Sequence, residues 1–315
     1  MKNLSKLLGK KILVTGAKGF IGSHLSRSLY RIGTEVHGVS RKMHSKDENF
    51  MRWWQGDLAD IEIVRNLLTT IRPEVIFHLA SHVAGSRNLE LVLPTFRGNL
   101  MTTVNILTAA TEIGCHRVVL TGSMEEPGSE SAETIPCSPY AAAKWASSGY
   151  ARMFHSLYQT PVVIARLFMV YGPGQQDMTK LIPYVTLSLL RNEAPQLSSG
   201  TRQIDWIYVE DIVDGLIAAA QAPDIEGSTI DLGSGSLVPI RTVVEHLVNL
   251  VNPTIDPLFG ALHDRPMEQV QVAKVSETFD KIGWKPTVSL EKGLALTVDW
   301  YRNSFITSGT KVLEK

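Results

Sequence analysis

The segment that most constrains the fold is a glycine-rich turn between a short apolar strand and an amphipathic helix. The apolar run Ile12–Thr15 leads directly into Gly16-Ala-Lys-Gly-Phe-Ile-Gly22, and a helical pattern follows over 21–32. In such a turn Gly16 permits the tight bend, Gly19 lets backbone N–H groups approach a pyrophosphate, and Gly22 allows close packing of helix against strand. The flanking elements favour a dinucleotide-binding turn over a glycine-rich turn without a ligand. The candidate cofactor-binding residues of this turn are Gly16, Lys18, Gly19, Phe20, Ile21 and Gly22.

Short apolar runs alternate with amphipathic stretches through the first half of the chain. Parallel strands joined by helices are buried on both faces, so this alternation predicts an α/β fold of Rossmann type with a doubly wound parallel sheet. After Gly172 the regularity weakens, and we expect a smaller, partly interleaved C-terminal α/β substrate lobe. The predicted domains are therefore 1–170, which binds the dinucleotide, and 171–315, which mainly binds substrate. The predicted strands are Ile12–Thr15, Glu35–Val39, Met51–Gln55, Val75–Leu79, Val118–Thr121 and Val162–Leu167, and the predicted helices are Ile21–Ile32, Ile61–Ile71, Thr95–Ile113, Tyr140–Tyr158, Leu181–Leu190, Ile212–Ala220 and Leu237–Val251.

The composition excludes several classes of protein. Lys and Arg together number 31, as do Asp and Glu, so the formal net charge is zero and no basic excess indicates nucleic-acid binding. The N-terminal apolar run is too short for a signal sequence or a membrane span. Cys115 and Cys137 have no metal-ligand spacing, and His78 is expected to be a hydrogen-bonded core residue rather than a ligand. We therefore expect a soluble, cytoplasmic protein without a metal ion and without nucleic-acid or membrane partners.

The glycine spacing and several later motifs resemble those of a known superfamily. G-x-x-G-x-x-G is similar to the short-chain dehydrogenase/reductase pattern, and nearly the whole chain resembles its extended branch, the nucleotide-sugar epimerases, dehydratases and reductases. Members often hold the ribose of NAD with an acidic residue at the end of the second strand, where this chain has Ser40, Arg41 and Lys42. A carboxylate repels a 2′-phosphate, whereas these residues can pair with one, so we expect NADP; the alternative is NAD, with solvated loop charges here. The resemblance also implies cofactor contacts from Asp57, Leu58, Leu79, Ala80 and Ser81.

A tyrosine and a lysine stand one helical turn apart in Tyr140-Ala-Ala-Ala-Lys144. The i, i+4 spacing places the phenol and the ammonium on one face of the helix. A free tyrosine has a pKa of about 10, and a nearby ammonium together with an oxidised nicotinamide would lower it, which suits a general acid/base. Ser123 follows the fifth strand, where the carboxyl ends of parallel strands line a ligand crevice, so its hydroxyl is expected to hydrogen-bond the reacting oxygen. The resemblance adds Asn99 as a supporting residue, and Lys144 is also expected to hydrogen-bond the nicotinamide ribose.

The residues after Ser123 bear on the type of reaction. In the sugar 4,6-dehydratases that the chain resembles, the serine or threonine is followed by Asp-Glu, whose acid and base remove water. Here Met124 occupies the first of these positions and cannot act as an acid, which disfavours dehydration. Glu125 keeps a carboxylate at the second position and resembles the glutamate of certain GDP-4-keto-6-deoxymannose reductases; the alternative is a capping carboxylate.

Later motifs resemble the family's substrate lobe, with two changes. R-L-F-M-V-Y-G-P-G over 166–174 matches R-x-F-N-V-Y-G-P-G, but Met169 replaces the asparagine that contacts the substrate diphosphate. Ile204 stands in place of another anion-binding arginine, with Arg202 within reach of the same anion, and Arg265 matches an arginine that binds the nucleotide phosphates. The candidate substrate-binding residues are Ser123, Met124, Met169, Arg202 and Arg265.

These observations lead to one principal hypothesis and three alternatives. We expect an NADPH-dependent reductase of a nucleotide-activated 4-keto-6-deoxyhexose, in which hydride goes to C4, Tyr140 protonates the oxygen and Ser123 polarises it. The main alternative is a 4-epimerase with the same residues and a tightly bound cofactor; a 4,6-dehydratase and a non-catalytic dinucleotide-binding protein are the others. The resemblance implies a homodimer formed through the helices Thr95–Ile113 and Tyr140–Tyr158. The small residues that would permit close packing of the second helix are Ala141–Ala143, Ala146 and Gly149.

Overall fold

The computed structural model describes residues 4–42, 50–128, 135–265, 267 and 269–307. The chain forms two compact units, each assembled from separate stretches of sequence. Unit 1 comprises Met1–Leu167, Val213–Leu232 and Val275–Lys285, and unit 2 comprises Phe168–Ile212, Gly233–Lys274 and Pro286–Lys315. The chain therefore passes between the units several times, and the first passage follows Leu167.

A seven-stranded parallel sheet forms the centre of unit 1. Its strands are β1 (Lys11–Thr15), β2 (Glu35–Ser40), β3 (Arg52–Gln55), β4 (Val75–His78), β5 (Arg117–Ser123), β6 (Val162–Leu167) and β10 (Thr229–Leu232). Their order is β10-β6-β5-β4-β1-β2-β3, which extends the Rossmann order 3-2-1-4-5-6 by one strand. The predicted doubly wound sheet is confirmed, and the six predicted strands have ends that differ from the observed ones by at most two residues. The sequence pattern does not predict the seventh strand, β10.

Capping residues set the ends of the principal helices in unit 1. Asp60 caps α2 (Ile61–Ile71) by accepting hydrogen bonds from two N–H groups of its first turn. Ser138 caps α5 (Pro139–Tyr158) by accepting one hydrogen bond, from Ala141 N, and a proline occupies the first helical position. α1 (Phe20–Ile32) ends at Gly33, whose φ of 90° is left-handed. The other helices with residues in unit 1 are α3 (Val92–Thr95), α4 (Thr102–Ile113), α7 (Val209–Gln221, which begins in unit 2) and α9 (Val275–Ile282).

The predicted helix Thr95–Ile113 is helical throughout, but it is not uniformly α-helical. A π-helical stretch, Phe96–Met101, separates α3 from α4. Gly98 lies within this stretch, and a Cβ there would stand 3.0 Å from Cβ of His82, so the segment after β4 approaches it closely. Helical interruptions of this type commonly accompany functional sites.

Three helices cover one face of the sheet in unit 1. Side chains of α2, α4 and α5, among them Leu68, Leu107 and Phe154, form a buried cluster with strand residues such as Ile76 and Leu120. Right-handed crossovers place α1 on the opposite face, because the connection from β1 to β2 runs the other way along the sheet. All seven parallel strands end at one edge, and that edge therefore carries the glycine turn, the segment after β4 and Ser123.

Unit 2 contains two small sheets and three helices among its described residues. Its strands are β7 (Met169–Tyr171), β8 (Gln196–Leu197), β9 (Gln203–Tyr208), β11 (Leu237–Pro239) and β12 (Leu258–Phe259), and its helices are α6 (Leu181–Leu190), α8 (Ile240–Val251) and α10 (Leu290–Thr307). The predicted helix Leu237–Val251 is wrong in its first turn, because β11 pairs antiparallel with β9 and the helix starts only after Pro239. Across the described part of the chain, we find no helix with the length and apolar character needed to span a bilayer.

Candidate active site

The glycine turn after β1 has the shape of a phosphate cradle. Gly19 N–H donates to the carbonyl of Gly16 at 2.9 Å, and φ of Gly16 is +68°. A Cβ on Gly16 would lie 2.8 Å from Ala80 N, and one on Gly22 would collide with Gly16 O, so both positions exclude a side chain. α1 begins at this turn without a side-chain cap and without an acidic residue in its first turn. Its N-terminal N–H groups therefore face an anion site, which fits a dinucleotide pyrophosphate.

The remaining residues of the turn lie where the prediction places them. Lys18 is exposed in the turn, and Phe20 and Ile21 form the first positions of α1. The segment after β4 stands beside the turn, because Thr15 Oγ1 accepts hydrogen bonds from Leu79 N at 3.1 Å and Ala80 N at 3.0 Å. Predicted cofactor residues from β1, α1 and β4 are thus brought together.

His78 occupies the end of β4 beneath this segment. Because Thr15 Oγ1 accepts two N–H bonds, it donates its own hydrogen to His78 Nδ1 at 2.8 Å, which places the ring proton on Nε2. Burial, assisted by the charge of Lys144, lowers the pKa of His78 to about 3, so the ring is neutral. Nε2 has no hydrogen-bond partner among the described residues. The predicted core position is confirmed, but one ring nitrogen is not satisfied there.

Two further groups of predicted cofactor residues follow β2 and β3. Ser40 ends β2 and accepts a hydrogen bond from Lys42 N at 3.3 Å, while Arg41 is exposed. Asp57 accepts from Ala59 N at 3.0 Å and pairs with Arg97 at 3.0 Å. The N–H of Ala59 lowers the pKa of Asp57 most, and Arg97 and Arg41 add to this effect, so Asp57 is an ionised acceptor. Leu58 is buried beside it.

Ser123, Tyr140 and Lys144 lie together at the carboxyl edge of the sheet. Ser123 ends β5, and its hydroxyl and that of Ser81 lie near the phenol of Tyr140, where both act to lower its pKa. Lys144 Nζ lies 5.9 Å from the centre of the Tyr140 ring and donates to the Thr121 carbonyl at 2.8 Å. An ammonium has three N–H donors, so Lys144 retains capacity for a further acceptor on this edge.

The expected lowering of the Tyr140 pKa does not come from the protein alone. Burial raises the pKa of Tyr140 above its usual value, and the carboxylates of Glu125 and Glu126 raise it further, against the hydrogen bonds from Ser123 and Ser81. Burial also lowers the pKa of Lys144 to about 8, with Glu126 opposing that change. Without additional positive charge, therefore, the phenol stays protonated.

Asn99 positions the segment after β4. Its Oδ1 accepts from His82 N at 2.6 Å and from Ser81 Oγ at 3.1 Å, and its Nδ2 donates to His82 O at 3.2 Å. Because Ser81 in turn contacts Tyr140, Asn99 acts on the catalytic group through Ser81. Its supporting role remains a prediction, with this hydrogen-bond chain as its physical basis.

Residues 124–126 form a tight turn after Ser123. Met124 is 4% exposed, and its N–H donates to Leu167 O at 2.9 Å. Glu125 is half-buried, and its N–H donates to Ser123 Oγ at 3.1 Å. Glu126 is 4% exposed, and its Oε1 accepts from Ser123 N at 2.7 Å. The position that carries an acid in the resembling dehydratases therefore holds a buried thioether.

Three predicted substrate-binding residues lie in unit 2. Met169 is half-buried at the start of β7. Ile204 is 2% exposed, so no anion contacts its side chain, and Arg202 Nη2 donates to the carbonyl of Gln269 at 3.2 Å. Arg265 is exposed. Arg202 therefore holds the segment that carries Arg265, and its direct contact with an anion remains a prediction.

Sequence reasoning did not assign a role to three residues that the structure places around Lys144 and Ser123. Thr121 accepts from Lys144, Thr15 links β1 to the segment after β4, and the carboxylate of Glu126 lies under Ser123. The available signal is their place at the ends of strands, which predicts proximity to the edge but not burial. In the part of the chain that is described, no cluster of three His, Cys, Asp or Glu side chains suits a metal ion.

Comparison with known proteins identifies the family. A family model described as the NAD dependent epimerase/dehydratase family matches residues 12–233. The UDP-glucose 4-epimerase of Mycolicibacterium smegmatis is 29% identical over 316 residues, covering 93% of this chain and 99% of the relative. The dTDP-D-glucose 4,6-dehydratase of Mus musculus is 25% identical over 325 residues, covering 94% and 90%.

A solved structure extends the likeness to three dimensions. The UDP-glucuronic acid 4-epimerase of Bacillus cereus, in complex with UDP-glucuronic acid and NAD, has a TM-score of 0.82 at 26% identity. The likeness covers 93% of this chain and 99% of that one. It includes the parallel sheet, and the family match spans the glycine turn and the Tyr140–Lys144 pair. The chain belongs to the NAD dependent epimerase/dehydratase family, within the extended branch of the short-chain dehydrogenase/reductase superfamily.

Proposed function

We propose that this chain is a 4-epimerase of a nucleotide-activated hexose, working with a tightly held nicotinamide dinucleotide. The observation that carries the proposal is the grouping of the Ser123 hydroxyl, the Tyr140 phenol and Lys144 at the edge that bears the phosphate cradle, with Lys144 Nζ 5.9 Å from the centre of the Tyr140 ring. Relatives with 4-epimerase activity on UDP-sugars match over nearly the whole chain, which supports this substrate class.

The chain's own groups suit reversible proton transfer at O4 of the sugar. A bound dinucleotide would supply the acceptor that takes a hydride from C4 and returns it, and its oxidised ring carries positive charge. Ser123 would hold the oxygen by a hydrogen bond, and Tyr140 would take its proton and later give it back. Lys144, fixed on Thr121, would stabilise the phenolate while that proton is absent.

Met124 argues against the dehydratase activity found among the relatives. Elimination of water from a sugar requires an acid for the leaving hydroxyl in addition to the residues that oxidise C4. The thioether of Met124 cannot donate a proton, and the residue is buried, with 4% exposure. Glu125 alone then remains, and it lies close enough to Tyr140 to raise the pKa of the phenol. Elimination would then require this one carboxylate to take the proton from carbon and pass it to the leaving hydroxyl, without the separate acid that the Asp-Glu pair of the resembling dehydratases provides.

An NADPH-dependent 4-ketoreductase is the second candidate, and a specific observation favours it. β2 ends in Ser40, followed by exposed Arg41 and Lys42, with no carboxylate among the three. Such an end attracts a 2′-phosphate, and NADP suits net reduction in which the cofactor leaves after each turnover. The epimerase and reductase proposals therefore differ in whether the dinucleotide is retained.

One experiment separates these candidates. The purified protein is denatured and the released dinucleotide is identified by chromatography. The native protein is incubated, with and without added NADPH, with a panel of UDP-, dTDP- and GDP-hexoses and their 4-keto-6-deoxy derivatives. A 4-epimerase yields retained cofactor, products of unchanged mass and no net use of NADPH. Stoichiometric use of NADPH with a 4-keto-sugar would instead establish the reductase, and loss of one water from the sugar would establish the dehydratase.

We also propose that two protomers pair through α3 and α5. Leu93 is 75% exposed, Phe96 45% and Trp145 42%, and α3 packs beside α5 in unit 1. Ala142, Ala146 and Gly149 lie at i, i+4 and i+7 on α5 with accessible surface, a spacing that permits close approach of another helix. Ala141 and Ala143 are buried within the protomer, so the expectation that they line the interface is wrong.

The interface proposal gives a direct prediction. Leu93→Arg places a charge in the centre of the apolar surface, and we expect it to convert a dimer into a monomer in light-scattering or sedimentation measurements. Leu262→Arg, at a site in unit 2 that is 53% exposed, is the control and should leave the dimer intact. A wild-type protein that sediments as a monomer, or a Leu93→Arg variant that remains dimeric, would contradict the proposal.

A further inference from the structure

Glu126 is an unusual residue for its position, because carboxylates are rarely buried in proteins. It follows Ser123 by three residues, and its side chain is directed back under the end of β5, with 4% exposure. Oε1 accepts from Ser123 N at 2.7 Å, and Glu126 N donates to Ser123 O at 3.0 Å. The residue therefore clamps the main chain of Ser123 at both its N–H and its carbonyl.

The sheet leaves space for this carboxylate. A Cβ on Gly122 would lie 2.6 Å from Glu126 Oε1, so the glycine before Ser123 admits the oxygen atom. The same Cβ would also stand 3.1 Å from Ile164 on β6. Because Gly122 has no side chain, the carboxylate of Glu126 fits beside it.

Charged and polar groups from several elements face Glu126. Burial raises the pKa of Glu126, whereas the Ser148 hydroxyl, the Ser123 N–H, Arg166 and Lys144 each favour its charged form. Arg166 belongs to β6 and is held by Asp231 on β10, with Nη1 3.4 Å from Oδ1. Asp231 on β10, Arg166 on β6 and Glu126 after β5 thus form a row of alternating charges across three neighbouring strands, and the row ends at the candidate active site.

We propose that Glu126 is a positioning residue of the candidate active site: its carboxylate fixes the main chain of Ser123 and supplies the negative charge that supports the ammonium of Lys144. The expected effect of Glu126 on turnover rests on the proposed function, which is oxidation and reduction at C4 of the sugar. Its electrostatic part acts on Tyr140 and Lys144 irrespective of the sugar. Glu125 also raises the pKa of Tyr140, and Lys144 in turn lowers the pKa of His78, so these two groups belong to the same electrostatic environment.

The sign of the effect follows from the charge. A negative charge raises the pKa of both a neighbouring phenol and a neighbouring ammonium, as it does for Tyr140 and Lys144. Its removal lowers both values. Activity that needs the Tyr140 phenolate on the acid side, and the Lys144 ammonium on the basic side, then shifts as a whole to lower pH. A change in packing alone would lower the maximum activity in the pH–activity profile without shifting the pH values at which activity rises and falls.

Glu126→Gln is the variant that tests this inference. Glutamine has nearly the same volume and keeps an oxygen that can accept from Ser123 N, so only the charge is removed. We expect kcat to fall about tenfold or more with KM changed less than about threefold, and both limbs of the pH profile to move to lower pH. The control is Glu226→Gln. Glu226 pairs with Arg117 at 2.6 Å at the amino end of β5, opposite to Ser123, so the pH profile should be unchanged.

A second measurement does not depend on the sugar. With tyrosine labelled by ¹³C at Cζ and NAD⁺ bound, the titration of Tyr140, assigned with Tyr140→Phe, should show about a threefold to tenfold loss of proton affinity in Glu126→Gln. If the wild type epimerises no sugar but this titration shifts, the proposed function fails and the inference stands. If the wild type epimerises and neither the titration nor the pH profile moves in Glu126→Gln, the inference is overturned.

Discussion

Tyr140→Phe is expected to lower kcat by about 10²–10⁴-fold, the range that general acid–base groups contribute. The substitution removes only the phenolic oxygen, which the structure places against the hydroxyls of Ser123 and Ser81. Because the ring remains and still fills its site beside Lys144, binding of dinucleotide and nucleotide should change little. The measurement is kcat and KM on the active sugar of the panel, together with the dissociation constant for NAD⁺.

The pH dependence adds a second observable to this prediction. Burial and two carboxylates raise the pKa of Tyr140, so the deprotonated fraction is small at neutral pH and oxidation should accelerate as the pH rises. Tyr140→Phe should abolish that acceleration. Tyr158→Phe, the same chemical change at the far end of α5 where the side chain is 54% exposed, is the control. Full activity in Tyr140→Phe would remove the basis of the proposed function.

The βαβ organisation was accessible from sequence because it depends on local patterns. Continuous apolar strands, the glycine turn and helix-starting residues such as Asp60 and Ser138 are each readable within a few positions. β10 was not predicted because it has only four residues, which alternate between polar and apolar and lack the continuous apolar run of the other central strands; its pairing with β6 makes it a strand. The sequence indicates that the first turn of the predicted helix Leu237–Val251 is not helical, because Pro239 favours an extended conformation for the residue before it.

The residues of the candidate site could be predicted from the sequence, but their pKa values could not. Strand ends and the i, i+4 spacing bring Ser123, Tyr140 and Lys144 to one edge, as the sequence predicts. The pKa of Tyr140 in the protein without a dinucleotide could not be predicted, because it depends on burial, on Glu125 and on Glu126, which folds back beneath β5. The π-helical stretch likewise accompanies a tertiary contact, in which Asn99 binds residues seventeen or more positions away.

Asp205 illustrates how a fully buried carboxylate can serve the fold rather than the substrate. It lies on β9 in unit 2 with no exposed surface. Its Oδ1 accepts from Ser234 N at 2.6 Å and Ser234 Oγ at 2.8 Å, and its Oδ2 accepts from Gly235 N at 3.0 Å and Ala273 N at 2.9 Å. One carboxylate thus joins β9 to two loops that have no regular secondary structure at these positions.

Asp205→Ala should therefore lower the free energy of unfolding by about 3–5 kcal/mol, because the N–H of buried Ala273 and the partly buried N–H groups of Ser234 and Gly235 lose their acceptor, at about 1–3 kcal/mol for a buried group. Asp205→Asn retains one acceptor oxygen but turns an NH₂ group towards donors, so we expect a smaller loss of the same sign. Urea unfolding followed by tryptophan fluorescence measures both variants. Asp256→Ala, at an exposed site of unit 2, should change the value by no more than about 0.5 kcal/mol. If Asp205→Ala were as stable as this control while nucleotide-sugar binding was lost, Asp205 would be a ligand-binding residue, and the carboxylate clamp would not be its main role.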